Sequence, residues 1–298
     1  MKKVLLVLLG LVSSFTFVSC NNTTSSSSNS LSNSSSSDNS SINNNPNNEE
    51  FKPQLSTDGK TITYGLYPQS YVKDSSLISV LDSLEPLTNN WYLYEGNYYY
   101  KDAASTFNGL GYVFNDNASI TNGKEYWFKC EAITWNVINV DEGLYTLVSN
   151  MLLDAKVYYK DYEDRVIDGN TISPNNYQYS DVREFLNNEF YNNAFMLNNH
   201  YIKDASFDGL NDKVFLLSEE DYSAYDASER KFYTTDYVRS RGIWCNDGYN
   251  YSTTYWTRSA SKEFTYSAIN INSNGYISDY VVDGRHGIRP SINIRFQN

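Results

Sequence analysis

The chain has 298 residues, of which 16% are aromatic, including 28 tyrosines. This length supports one large domain or two ordinary ones, and the aromatic side chains provide ample material for a hydrophobic core. The formal net charge is −12 and the basic residues form no cluster, which argues against a nucleic-acid-binding protein and against attachment to anionic lipid through a basic patch.

The N-terminal residues have the order of a bacterial export signal. A short basic region (Lys2-Lys3) precedes an apolar stretch (Val4–Val12), and small and polar residues then lead to Phe17-Val18-Ser19-Cys20. Residues 1–19 therefore resemble a bacterial lipoprotein signal peptide, although Phe17 departs from the usual Leu or Val. The resemblance implies cleavage before Cys20 and a lipid on its sulfur. The apolar stretch is shorter than the ~20 residues that a membrane span needs, which disfavours an uncleaved transmembrane helix.

The next stretch of the chain is a polar linker. From Asn21 to about Asn48 nearly every residue is Ser, Asn or Thr. Such a segment has too little apolar surface to offset the entropy of ordering, and a coil of about 28 residues spans on the order of 30 Å. We therefore predict a lipid-anchored, disordered linker at residues 20–55. It would hold a single folded domain, residues 56–298, at the outer face of the cell membrane.

The first half of this domain shows strand patterns with clear turns. Thr61–Gln69 reads as a strand stopped by Pro68, and Leu77–Leu84 as one or two helical turns. Two hairpins are predicted next. In each of them a turn that contains glycine, Glu95-Gly96-Asn97 or Asp141-Glu142-Gly143, separates two apolar runs.

Three short helices are predicted in the middle of the domain. Their N-terminal caps are Ser180, Ser218 and Thr235. Ser218 also opens the capping-box pattern Ser218-Glu219-Glu220-Asp221. Apolar residues follow Ser180 at helical spacing: Val182, Phe185, Leu186 and Phe190. Strands thus flank a central group of helices. This arrangement predicts the α+β class, with an irregular mixed or antiparallel sheet and not alternating βαβ units.

The last forty residues are predicted to form a strand from Tyr255, a hairpin and a closing strand. An Asn274-Gly275 type I′ turn would pair Ile271 with Ser278, Ile269 with Tyr280 and Ser267 with Val282. From Ile288 to Arg295 apolar and polar residues alternate, and Pro290, which donates no ladder hydrogen bond, should lie at a sheet edge or a bulge.

Five short motifs occur in one order along the chain: Trp135-Asn136-Val137-Ile138, Ser180–Tyr191, Val214–Ser218, Tyr255–Ser259 and Gly287-Ile288-Arg289-Pro290. This series resembles a bacterial family of domains of unknown function, family 6273, which is common in surface proteins of Firmicutes and Mollicutes. The resemblance covers residues 64–296. More remotely, Phe215–Tyr225 and the closing Gly-Ile-Arg are similar to the sulfatase-modifying-factor branch of C-type-lectin-like folds, and this likeness implies that fold. The cysteine pair that formylglycine-generating activity needs is absent, so that activity is not implied.

The sequence offers few candidates for catalysis. Cys130 and Cys245 could form a disulfide, but a buried free thiol is the simpler interpretation for Cys130 within an apolar strand pattern. Cys245 with His286 or His200 would need a third orienting group, and no local signature supports such a site. A glycosidase with two carboxylates distant in sequence stays open. We predict no metal and no cofactor. Calcium at Asp247, Asp279 and Asp283 is a weak alternative, because no dense Asp/Asn/Gly loop is present.

A cluster of aromatic and polar residues near the C-terminus suggests a ligand site. Flat rings interleaved with amides and a carboxylate suit sugar faces or peptides, although in a Tyr-rich chain such rings can simply cover the core. The candidates are Trp244, Asp247, Tyr249, Tyr251, Tyr255 and Trp256. Arg258 and Arg289 are predicted to be structural, pairing with buried carboxylates or carbonyls.

Together these features predict a lipid-anchored surface protein with a non-catalytic domain that recognises an extracellular glycan or protein. Its partners would be the membrane, through the lipid on Cys20, and this ligand, with no nucleic acid. Two alternatives remain: an extracellular hydrolase or modifying enzyme with an unrecognised site, and a structural surface protein.

Overall fold

The computed structural model describes residues 51–88, 90–107, 110–243, 245 and 252–296. These residues all belong to one compact unit. The predicted leader, Cys20 and most of the predicted linker lie outside the described residues. Strand is the main secondary structure, and the helices are few and short.

The described strands, in chain order, are β1 Gln54–Leu55, β2 Thr61–Tyr71, β3 Trp91–Tyr94, β4 Asn97–Ala103, β5 Glu125–Asp141, β6 Leu144–Ser149, β7 Asp154–Val157, β8 Arg165–Ile167, β9 Asn170–Ile172, β10 Ile202–Lys203, β11 Ala205–Phe207, β12 Leu210–Asp212, β13 Val214–Phe215, β14 Tyr255–Ala260, β15 Ser267–Ile271, β16 Ile277–Val281, β17 Arg285–Ile288 and β18 Ser291–Arg295. The first of them, β1, occupies the last two residues of the predicted linker, so the folded unit begins slightly earlier than predicted.

The larger sheet is antiparallel and has nine strands. Its main path is β1-β2-β5-β6-β18-β10, while β4 joins β3 to β5 and β13 pairs with β18. Both predicted hairpins are present. Glu95-Gly96 and Glu142-Gly143 form their turns with positive φ at both positions, as a type I′ turn requires.

Pro68 does not end the first strand, contrary to the prediction. It lies within β2 opposite Cys130, next to an irregularity of register between Pro68 and Ser70. On its other side β2 is paired with β1 only at Ile62 and Thr63. Near Pro68, β2 is therefore an edge strand on the side away from β5. Proline, which has no N–H group to donate, is found at such edges and at bulges.

The smaller sheet has the order β16-β15-β14-β17-β7, and within it β14 and β17 run parallel. The predicted register of its β15–β16 hairpin is wrong by one residue, because Ile271 pairs with Ile277 and Ser267 with Val281. The amide of Gly275 donates to the Asn272 carbonyl, and Gly275 alone in the loop has positive φ. The loop is thus a three-residue one ending in a left-handed glycine, and not a type I′ turn.

The predicted closing strand is two strands in different sheets. β17 pairs with β7 in the smaller sheet, and β18 pairs with β6 in the larger one. The break falls at Arg289 and Pro290, where the Pro290 carbonyl accepts from the Ser149 amide and Leu153 donates to Ile288. The two neighbouring chain segments therefore pass together from one sheet to the other and join the two sheets.

The helices are α1 Ser75–Leu81, α2 Asp181–Phe185, α3 Tyr191–Ala194, α4 Glu219–Ser223 and α5 Asp236–Ser240. The three predicted caps are present: the hydroxyls of Ser180, Ser218 and Thr235 accept from the amides of Arg183, Asp221 and Val238. At Ser218 the capping box is complete. Gly242, with φ of 83°, follows α5 as expected for a helix end.

The main core lies where both sheets meet the middle helices. Its largest fully buried side chains include Trp135 from β5, Trp256 from β14 and Phe190. A second cluster contains Tyr222, Val238 and Tyr255. The aromatic content of the chain is thus largely used in packing.

Candidate functional site

Two polar grooves of the domain lie along one helical segment, residues 181–194. It consists of α2, a π-helical turn at Leu186–Phe190 and α3. Val182, Leu186 and Phe190 are fully buried against the core. The opposite face of the segment is therefore polar, and an open groove lies on each side of it.

The π-helical turn is held in place by Asn187. Its side-chain carbonyl accepts from the amides of Lys213 (2.8 Å) and Val214 (3.2 Å), and its amide donates to the Val214 carbonyl (2.9 Å). These bonds tie the segment to β13 and account for a poor helix former at this position. π-Helical turns are rare and often occur at functional sites.

The first groove, here called the arginine groove, has a volume of about 550 Å³. The Arg183 guanidinium donates to both carboxylate oxygens of Asp212 at 2.6 to 3.0 Å and to the Gln178 carbonyl at 2.8 Å. The hydrogen bond to Asp212 raises the pKa of Arg183. Asp212 is buried, so this ion pair is part of the fold. The lining residues are Ile167, Gln178, Tyr179, Ser180, Arg183, Glu184, Asn187, Asn188, Asp204, Asn211, Asp212 and Lys213.

The second groove, here called the asparagine groove, has a volume of about 520 Å³. Four of its described lining residues are asparagines, and Glu189 is the described lining residue that carries a formal charge. Within the described part of the chain, the side-chain amides of Asn188, Asn192 and Asn193 hydrogen-bond to no other residue. The lining residues are Asn90, Tyr100, Asn188, Glu189, Asn192 and Asn193.

Tyr100 connects the asparagine groove to a buried polar network. Its ring contacts the ring of Tyr237 edge-to-face at 5.9 Å, and Tyr237 contacts Tyr67 in the same way. The Tyr67 hydroxyl donates to the fully buried carboxylate of Asp154 at 2.7 Å. Burial, followed by the charge of Asp154, raises the pKa of Tyr67 well above its ordinary value. Burial thus keeps these hydroxyls protonated, and the packed rings fix the position of Tyr100 in the wall of the groove.

Two of the six aromatic and polar residues predicted to bind a ligand are within the described chain, and both belong to the core. Tyr255 and Trp256 are fully buried, and their polar atoms donate to the carbonyls of Arg230 (2.8 Å) and Lys156 (3.1 Å). Neither ring is accessible to a ligand in this structure. The other four, Trp244, Asp247, Tyr249 and Tyr251, lie outside the described residues.

Arg258 and Arg289 occupy junctions between elements. Arg258 donates to the Leu216 carbonyl and to the Asp221 carboxylate, both at 2.9 Å, and so connects β14 to the start of α4. Arg289 is buried where the chain passes between the sheets. It donates to the Ser149 carbonyl at 3.0 Å and stacks on the Phe232 ring at 3.3 Å.

Of the cysteines and histidines considered for catalysis, Cys130 and His286 are buried, Cys245 is half-buried and His200 is exposed. Cys130 and Cys245 are both free thiols, and burial raises the pKa of Cys130 well above its ordinary value. His286 is buried between the rings of Trp256 and Tyr280, and burial lowers its pKa to about 3. Among the described residues, no three His, Cys, Asp or Glu side chains form a metal-binding group, and no helix is long and apolar enough to span a membrane.

The residues of the asparagine groove were missed by the sequence argument, although a signal was present. Two Asn-Asn pairs stand in a helical pattern, at 187–188 and 192–193, and asparagine is a poor helix former. Asn188 and Asn192 are four residues apart, a spacing that places two side chains on the same face of a helix. Tyr100 and Asn90 could not have been added, because their approach to this helix is a long-range contact.

Comparison with known proteins gives one family match. A family model described as "Domain of unknown function (DUF6273)" matches residues 146–296, which include the whole helical segment 181–194. The match covers the second part of the range from residue 64 that the sequence motifs indicated. No curated protein and no solved structure matches the chain.

Proposed function

The chain belongs to the family of domains of unknown function DUF6273, and from its leader and its polar grooves we propose that it is a lipid-anchored surface protein. In this proposal the folded domain recognises an extracellular glycan or protein and catalyses no reaction. Residues 1–19 act as the export signal, Cys20 carries the lipid, and the Ser/Asn-rich linker holds the domain away from the membrane.

The observation that carries the proposal is the set of free amides in the asparagine groove. Every buried polar group of the neighbouring Arg183–Asp212 pair is used within the fold, whereas Asn188, Asn192 and Asn193 have no described partner. A groove of about 520 Å³ is within the usual size of ligand sites. Asn188 and Asn192 are exposed and Asn193 is half-buried, so their amides can be reached by a ligand.

The surroundings of the reactive groups favour binding over catalysis. The candidate nucleophile, the Cys245 thiol, lies 3.5 Å from the Thr234 hydroxyl, whereas its candidate base His286 is packed between the rings of Trp256 and Tyr280. A general base needs a pKa near the working pH and access to substrate. His286 has neither, because it is buried and neutral with its Nδ1 3.3 Å from the Asn270 amide nitrogen.

We extend the proposal to a C-type-lectin-like fold. Its support is the complete capping box at the start of α4, directly after β13, and the closing Gly287-Ile288-Arg289 at the passage between the sheets. Both features carried the remote likeness in the sequence. An experimental structure with a different strand order would contradict the C-type-lectin-like fold. It would leave the proposed anchoring and recognition unaffected.

Binding and turnover by the full-length protein test the proposed function. The chain is purified with its lipid, placed in vesicles and exposed to arrays of oligosaccharides and of extracellular proteins. We expect saturable binding to members of at least one array and no new product when the bound compounds are analysed by mass spectrometry. Binding to neither array, or conversion of a bound compound, would contradict the proposal.

A further inference from the structure

The asparagine groove has a composition that selects among ligands of the proposed recognition domain. Each asparagine amide offers one acceptor oxygen and two donor hydrogens, and Glu189 offers acceptors only. Hydroxyl and acetamido groups both donate and accept, so they complement such a lining. The Tyr100 side chain adds apolar area beside these polar groups, as the faces of sugar rings require.

Charge distinguishes the possible sugars. Among the described residues that line the groove there is no lysine or arginine, and Glu189 is the one that carries a formal charge. The Lys156 ammonium lies 3.7 Å from Glu189 but also stacks on the Phe185 ring at 4.0 Å, so it is already engaged. Carboxylate, sulfate and phosphate groups are bound in proteins chiefly by arginine and lysine side chains or by backbone N–H groups. An anionic sugar would here meet a carboxylate on a protein with a net charge of −12.

The helical segment carries asparagines at positions where alanine would be the better helix former. Alanine is a better helix former than asparagine by roughly half a kcal/mol per residue. Asn187 is explained by its three hydrogen bonds to residues 213 and 214. Asn188, Asn192 and Asn193 have no such bonds to described residues, and all three line the groove. Local rules broken without structural gain are typical of functional sites.

We propose that the asparagine groove is the binding site for a neutral glycan, recognised through hydroxyl or acetamido groups and carrying no carboxylate, sulfate or phosphate at the bound sugar. The inference rests on the proposed function and adds to it the site and the ligand class. Asn192 and Asn193 from α3, with Asn188 and Glu189 from the π-helical turn, contact the sugar. Tyr100 forms the opposite wall.

Matched oligosaccharides test the ligand class. Binding of the full-length protein to lactose, chitobiose and mannotriose is measured by calorimetry beside sialyllactose and a heparin oligosaccharide. We expect at least one neutral compound to bind and its affinity to change less than about twofold between about 50 and 500 mM salt, because a neutral ligand is not screened. Binding restricted to the anionic compounds would overturn the neutral-glycan assignment and leave glycan recognition standing.

A double variant tests the site. Asn192→Ala with Asn193→Ala removes two amides and should weaken binding of the neutral oligosaccharide about tenfold, while thermal stability is kept or raised by the better helix former. The control is Asn139→Ala with Asn199→Ala, two exposed asparagines outside both grooves. It should leave the affinity unchanged.

The outcomes separate the site from the function. Unchanged affinity in the groove variant would place the sugar elsewhere and overturn the site, while the recognition function stands. Binding to an extracellular protein but to no oligosaccharide would overturn the ligand class. Binding to neither class by the unaltered protein would overturn both the inference and the proposed function.

Discussion

His286 is a titratable side chain placed where burial disfavours its protonated form. It is 4% exposed, and its ring lies 4.2 Å from Trp256 and 4.8 Å from Tyr280, measured between centroids. Burial lowers its pKa to about 3, whereas an unfolded histidine titrates near 6.5. Below pH ~6.5 the unfolded chain therefore binds a proton that the folded chain does not, and acid favours unfolding.

We expect this histidine to make the domain sensitive to mild acid. Its contribution to the free energy of unfolding is complete above pH ~6.5 and falls as the pH drops toward 3. By about pH 5 the loss is about 2 kcal/mol. In His286→Gln, urea denaturation should show a free energy of unfolding that changes less between about pH 7 and pH 5 than in the unaltered protein. His200→Gln, at an exposed position, is the control and should keep the original slope. Equal slopes in all three proteins would contradict the argument.

A second prediction at the residue scale concerns the contribution of the Arg183–Asp212 pair to stability. Asp212 is 1% exposed, and removal of Arg183 leaves its charge buried without a counterion. Losing one partner of a buried pair costs about 3–5 kcal/mol, and the partial exposure of Arg183 reduces this to about 2–3 kcal/mol. Arg183→Met should therefore lower the free energy of unfolding by that amount, measured by urea denaturation.

A matched control lies in the same groove. Lys213 pairs with Asp204 at 2.7 Å, but both side chains are well exposed. Exposed pairs contribute less than about 1 kcal/mol, so Lys213→Met should have a small effect. Similar losses in the two variants would show that burial of Asp212 does not decide the energy of the pair.

At the scale of elements, the β15–β16 hairpin depends on one glycine. Gly275 has φ of 82°, and a Cβ atom there would overlap the Ala227 carbonyl oxygen. Gly143, in the β5–β6 turn, has φ of 75° but open space around it. We expect Gly143→Ala to cost about 1 kcal/mol for its left-handed backbone and Gly275→Ala about 3 kcal/mol, because steric overlap is added. Urea denaturation of both variants measures the difference, and equal costs would exclude a steric role for Ala227.

Elements controlled by neighbouring residues were predictable from the sequence. The caps at Ser180, Ser218 and Thr235 and the turns at Glu95-Gly96 and Glu142-Gly143 depend on atoms within a few residues, and all are present. The register after Asn274-Gly275 was not predictable, because this dipeptide also fits a three-residue loop that ends in a left-handed glycine.

Long-range geometry explains the remaining errors. Alternation continues through Arg289 and Pro290 although the chain there changes from one sheet to the other. The pattern reports which residues are buried but not against which sheet. The same limit applied to Tyr255 and Trp256, whose aromatic character suited a ligand site equally well before their burial was known. The groove wall at Tyr100 depends on packing between β4 and the helical segment.

At the scale of the whole molecule, the proposal separates attachment from recognition. The described residues form one compact unit that contains both grooves, while the predicted lipid site is at Cys20, far from them in sequence. A protein with a net charge of −12 is not attracted to anionic lipid. In the proposed arrangement attachment would therefore depend on acyl chains, each buried methylene of which contributes about 0.8 kcal/mol.

Replacement of Cys20 should release the protein without changing its binding domain. In Cys20→Ser we expect the chain to move from the membrane fraction to the soluble fraction, and mass spectrometry of the unaltered protein should find an acylated cysteine at the mature N-terminus. Cys245→Ser is the control and should stay in the membrane fraction. Because the grooves lie in the separate folded unit, the released protein should bind the neutral oligosaccharides with unchanged affinity. Retention of Cys20→Ser in the membrane, or an unmodified N-terminus, would contradict lipid anchoring while leaving the asparagine groove to be judged by its own variants.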